Sequence, residues 1–121
     1  MRRGWRMMLA LVLPMAAWAE DAGWEPLSGA QISAVLTGKT LDYGTQWQDF
    51  RASGRTLYFS GQDAWGYWGV RGDQYCSMWP PSDLWACYDM ARKGGMVRFI
   101  GQGGETTDAV VMRSDAGARS E

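Results

Sequence analysis

Residues 66–90 read GYWGVRGDQYCSMWPPSDLWACYDM, and this stretch decides the fold. Arg71-Gly72-Asp73-Gln74 separates two runs rich in aromatic and β-branched residues, so it reads as a hairpin turn. A two-residue turn at Gly72 and Asp73 sets Val70 opposite Tyr75, Gly69 opposite Cys76 and Trp68 opposite Ser77. Pro80-Pro81-Ser82-Asp83 separates the next two runs, because prolines there cannot sit inside a paired ladder. Placing Cys76 opposite Cys87 then sets Tyr75 against Tyr88 and Met78 against Trp85. Directly opposed residues in the non-hydrogen-bonded register lie roughly 4.5 Å apart at Cα, a span that a disulfide closes. The stretch is therefore expected to form three antiparallel strands with a Cys76–Cys87 bridge.

Side chains alternate between the faces of a sheet, so these registers sort the residues. One face carries Trp68, Val70, Tyr75, Ser77, Trp79, Leu84, Ala86, Tyr88 and Met90. It has no charge and is assigned to the core. The other face carries Trp65, Tyr67, Arg71, Gln74, Cys76, Met78, Trp85, Cys87 and Asp89. Its ends are polar or charged, and its middle is aromatic. Two readings of that middle stand open: a helix covers it as a second small core, or Trp65, Tyr67, Met78 and Trp85 form a binding face.

On the N-terminal side, Arg2, Arg3 and Arg6 precede a short apolar run from Met7 to Met15 and a small-x-small site at Ala17-Trp18-Ala19. Residues 1–19 thus read as a secretory signal peptide, too short for a membrane span with these flanks. Residues 20–113 are expected to form one β-rich domain, with no transmembrane segment after cleavage, and residues 114–121 a disordered tail. The chain has 12 basic and 13 acidic residues, and losing three arginines with the leader takes its net charge from −1 to −4. No basic stripe marks a nucleic-acid surface. In an oxidising compartment two cysteines pair with each other and leave neither as nucleophile nor as metal ligand.

A helix is expected over residues 28–37. Ser28 and Gln31 form a capping box, Leu27 and Ile32 the staple around it, and Gly38 the stop. Ile32, Val35 and Leu36 fall on one stripe that must dock on a sheet. Strands are expected near residues 40–45, 47–52, 55–60, 65–71, 74–79, 84–91, 96–100 and 106–113. The fold class is mainly β with one N-terminal helix: an antiparallel meander of about eight strands, barrel-like or strongly curved, packed on the helix. Residues 49–62 and 89–102 share Asp, Gly, Phe, Gly and Gln at an offset of forty, as two hairpins would.

The chemistry on offer is narrow. There is no histidine, so no histidine base, triad or metal site exists. The serines lack a nucleophile elbow, and Asp83 and Asp89 read as turn and surface residues. Gly101-Gln102-Gly103-Gly104 precedes a strand rather than the helix and lysine of a phosphate loop. Arg71-Gly72-Asp73 matches an adhesion tripeptide but is also simply a good hairpin turn. No metal or cofactor is expected. The six tryptophans in the 102 residues after the leader are the feature that points to binding, since such rings are enriched where proteins bind.

The block Gly66-Tyr67-Trp68-Gly69-Val70, Gly72-Asp73-Gln74-Tyr75-Cys76-Ser77, Trp79-Pro80-Pro81 and Trp85-Ala86-Cys87-Tyr88 resembles a family of small exported bacterial proteins of unknown function. The likeness spans most of residues 27–101 and implies export, a leading helix and a β-rich body, but no activity. The resulting expectation is a non-enzymatic periplasmic binding module. Its ligand, a cell-envelope glycan or a small apolar molecule, would meet the Trp65, Tyr67, Met78 and Trp85 face or the mouth of a barrel. The alternative is a protein partner: the chain would inhibit an envelope enzyme or assist envelope assembly through a loop such as Pro80–Asp83.

Overall fold

The computed structural model describes residues 23–112. The expected signal peptide and C-terminal tail lie outside the described residues. Ten elements follow one another: β1 (Glu25–Pro26), α1 (Gly29–Leu36), β2 (Lys39–Asp42), β3 (Trp47–Phe50), β4 (Arg55–Phe59), β5 (Asp63–Arg71), β6 (Gln74–Met78), β7 (Ala86–Lys93), β8 (Met96–Ile100) and β9 (Thr106–Met112). From β2 to β9 each strand pairs antiparallel with the next, and β9 returns to β2 with Leu41 opposite Val111. The meander is thus a closed barrel of eight strands, in which the first strand pairs with the last.

The central registers match the sequence reading. Val70 faces Tyr75, Gly69 faces Cys76, Trp68 faces Ser77, Tyr75 faces Tyr88, and Cys76 faces Cys87. The two cysteines form a disulfide with their Cα atoms 4.0 Å apart. Gly72 takes the left-handed conformation that the tight turn requires.

Three expectations are corrected. Strand β7 begins at Ala86, so Met78 has no ladder partner at Trp85, and Leu84 is 76% exposed rather than inside. Ala86 is exposed as well. The cause is local: the Ser82 N–H bonds the Trp79 carbonyl, the Leu84 N–H bonds the Ser82 hydroxyl, and the chain loops out instead of pairing. Second, a short strand precedes the helix where the sequence reading placed none. Strand β1 lies outside the ring on the edge of β7, with Glu25 opposite Arg92, and the Leu27 N–H continues the ladder to the Met90 carbonyl. Third, α1 does not lie over the outer face of the central strands. Its Ile32, Val35 and Leu36 join Leu41, Phe50, Trp68, Met90, Val97 and Ala109 in one core, so the helix plugs one end of the barrel. Burying those three side chains contributes on the order of 5 kcal/mol.

The capping box at Ser28 and Gln31 forms in both directions, and Gly38 follows the helix as its left-handed stop. The Gly29 N–H donates to the Asp73 carboxylate at 2.7 Å, and a Cβ on Gly29 would collide with the Gly72 carbonyl. Arg71-Gly72-Asp73 is therefore a turn clamped to the helix start. The two echoing segments are the β3–β4 and β7–β8 hairpins.

Candidate functional site

Because α1 closes one end, the interior divides into two halves. The plugged half is packed with aliphatic and aromatic side chains. The other half, under the β2–β3, β4–β5, β6–β7 and β8–β9 turns, is a cup of about 440 Å³. That lies within the range of roughly 300–1,000 Å³ usual for ligand sites.

The pleat sends one residue of each neighbouring pair inward, and closure brings these residues round one axis. Tyr43 reaches in beyond β2, Gln48 from β3, Tyr58 from β4, Tyr75 and Ser77 from β6, Tyr88 from β7, Phe99 from β8 and Thr107 from β9. Trp79 enters just after β6. The rings touch in sequence: Trp79 with Tyr58 at 6.2 Å, Tyr58 with Tyr43 at 6.1 Å, Tyr43 with Phe99 at 6.3 Å, and Phe99 with Tyr88 at 6.5 Å between centroids. Most of these contacts are edge-to-face, the arrangement aromatic quadrupoles favour.

The floor of the cup satisfies its own polar atoms. Gln48 is buried, and its carbonyl accepts from the Tyr43 hydroxyl at 2.7 Å. Its amide donates to Thr56 at 2.9 Å and, at longer range, to the Tyr75 hydroxyl at 3.5 Å. The Trp79 indole N–H donates to the Ser77 hydroxyl at 3.2 Å. Burial pushes the Tyr75 phenol above its ordinary value, against the hydrogen bonds from Ser77 and Gln48. Burial also pushes the Tyr43 phenol up, and the phenols of Tyr75, Tyr58 and Tyr88 add to it. Both are neutral phenols at physiological pH. The charged side chain at the rim is Asp108, held bidentately by Arg98 at 2.7 and 3.0 Å.

The four residues singled out from the sequence lie elsewhere, on the outer wall. Tyr67 and Met78 oppose one another across β5 and β6, and Trp65 sits two residues along from Tyr67. Tyr67 is 43% exposed, while Trp65 and Met78 are half-buried. Trp85, 38% exposed, lies apart on the loop before β7. Guanidinium groups cover these rings: Arg55 over Trp65 at 4.4 Å and over Tyr67 at 5.9 Å, and Arg71 over Trp85 at 4.5 Å. The structure therefore brings three of the four together and leaves the fourth beside Arg71.

The sequence reading named the barrel mouth but not its walls. Tyr75, Trp79 and Tyr88 were placed inward as core, whereas Tyr43, Gln48, Tyr58 and Phe99 carried no assignment. The signal was a period of two shared by Gln48 and Phe50, by Thr56 and Tyr58, and by Val97 and Phe99.

Among the described residues no group of three histidine, cysteine, aspartate or glutamate side chains is placed to hold a metal ion, and no helix is long and apolar enough to cross a membrane. No family model, curated protein or solved structure matches this chain.

Proposed function

We propose that the protein is a non-enzymatic, exported binding module that takes a small organic molecule into the open mouth of its barrel. The observation that carries this reading is the cup itself: about 440 Å³, walled by six aromatic rings, in a barrel whose other end is packed solid. Export is part of the same proposal. It rests on the leader-like first nineteen residues, the intramolecular disulfide and the resemblance of the Gly66–Tyr88 block to small exported bacterial proteins. The floor offers bonded amide and hydroxyl groups rather than an exposed acid, base or nucleophile, which suits retention better than turnover.

The test uses Prodan, a neutral naphthalene dye whose emission reports the polarity around it. The account expects saturable one-to-one binding that Thr107→Trp abolishes, because Thr107 lines the mouth and an indole there fills it. Dye binding unchanged by Thr107→Trp overturns the reading.

One observation favours a second reading, contact with a protein partner: Leu84 and Trp85, which directly follow the Pro80–Asp83 loop, are exposed large apolar side chains. Under that reading Leu84→Asp abolishes binding to a defined envelope enzyme while Prodan binding persists.

A further inference from the structure

We infer that the cup is a cage for an organic cation, an alkylammonium group carried by a small molecule. The inference rests on the proposed cup reading and names the ligand class.

The first observation is the kind of wall. Tyr43, Tyr58, Tyr75, Tyr88, Trp79 and Phe99 surround one cavity, and no lysine or arginine lines it. The face of each ring carries the negative lobe of its quadrupole, so several rings round one space favour a cation and disfavour an anion. The charged group at the rim, Asp108, is a carboxylate whose bidentate bond to Arg98 leaves the rim near neutral. Nothing in that lining offsets the charge of a bound anion.

The second observation concerns three of this chain's other indoles; of the two remaining described ones, Trp47 stacks on Phe59 and Trp68 is buried in the core. Trp24, Trp65 and Trp85 lie on the outside, and each sits beneath a guanidinium, at 4.1, 4.4 and 4.5 Å respectively. Trp79 instead turns into the cup, where no cation of the described residues meets it. Its ring lies against the backbone of Gly66, because any Cβ there would collide with it.

The third observation concerns shape and hydrogen bonding. Gln48, Tyr43, Ser77 and the Trp79 N–H are bonded to one another or to Thr56. At the floor of the cup a sugar hydroxyl would have to break into that network, with a cost for each buried group left unpaired. A methylated ammonium group is round, donates few hydrogen bonds or none, and is held by ring faces alone.

The test is calorimetric titration of the oxidised protein with choline and with 3,3-dimethylbutan-1-ol, its neutral isostere. Choline is expected to bind roughly tenfold tighter or more, given the strength of several desolvated cation–π contacts. Tyr58→Phe, which keeps the ring, is expected to retain that preference. Tyr58→Leu, which keeps bulk but not the π face, is expected to reduce choline affinity several-fold and leave the isostere unchanged. Equal affinity for the two probes overturns the cation cage while Prodan binding keeps the cup reading alive. Choline affinity unmoved by Tyr58→Leu likewise overturns it. Failure of choline, the isostere and Prodan together overturns both readings.

Discussion

The Trp79 indole occupies the space that a side chain on Gly66 would need: a Cβ built there falls 2.6 Å from the ring. Strand β5 gives up one inward side chain at this point, and the freed volume seats a ring from the turn after β6. The glycine thus sets one wall of the cup. Gly66→Ala is expected to push the indole out and cost about 1–3 kcal/mol, as overpacking in a filled interior does. Denaturant melts measure the loss, and Prodan affinity should fall with it. A variant of unchanged stability and affinity contradicts this seating.

The Cys76–Cys87 bridge joins β6 to β7 where the chain must rejoin the sheet after its Pro80–Trp85 excursion. Cross-linking constrains the unfolded chain, and the loop between the two cysteines is short. Cys87→Ser is expected to lower stability by about 2–4 kcal/mol. Reductant should lower the Tm of the parent protein in the same direction and leave the variant's unchanged.

Tyr43 and Tyr75 hold their protons more tightly folded than unfolded, because burial disfavours the phenolate. Their stabilisation is complete below the ordinary pKa of 10.0 and is lost as pH rises from there toward the folded values. Each tyrosine removes about 1.4 kcal/mol per pH unit in that window. Denaturant melts from pH 8 to 11.5 are expected to show a downward slope above pH 10. Tyr43→Phe should make that slope shallower, since it has no proton to lose.

Asp73 accepts from the first helical N–H and so ties α1 to the β5–β6 turn. Asp73→Ala is expected to cost about 1 kcal/mol, and Asp73→Asn less, because an amide oxygen still accepts. Amide exchange at Gly29 and Ala30 should quicken in the alanine variant before any change near the cup.

The barrel was legible where the signals were local. Gly72, the paired cysteines and the Pro80-Pro81 break set three strands and their register, and Ser28 with Gln31 marked the helix start. The errors came where tertiary contacts decide. Leu84 has the right parity for the core, yet the turn bonds at Ser82 and Trp79 lift it out. Glu25-Pro26 is too short and too proline-bound to show a strand period; it pairs because β6 ends and leaves the edge of β7 open. The helix stripe was visible, but its docking place was not, since only closure of β9 on β2 creates an end to plug. Closure hid the cup for the same reason. Tyr43, Tyr58 and Phe99 stand far apart along the chain and meet only round the barrel axis, whereas Trp65, Tyr67 and Met78 were conspicuous because they share neighbouring strands.

The claim that the mouth of the barrel is the binding surface is tested most directly by titrating the isotopically labelled protein with Prodan and following amide and indole N–H resonances. The account predicts shifts at the Trp79 indole N–H and at the amides of Tyr58, Tyr88 and Thr107, with the indole signals of Trp65 and Trp85 unmoved. Shifts confined to Trp65, Tyr67 and Trp85 would contradict it.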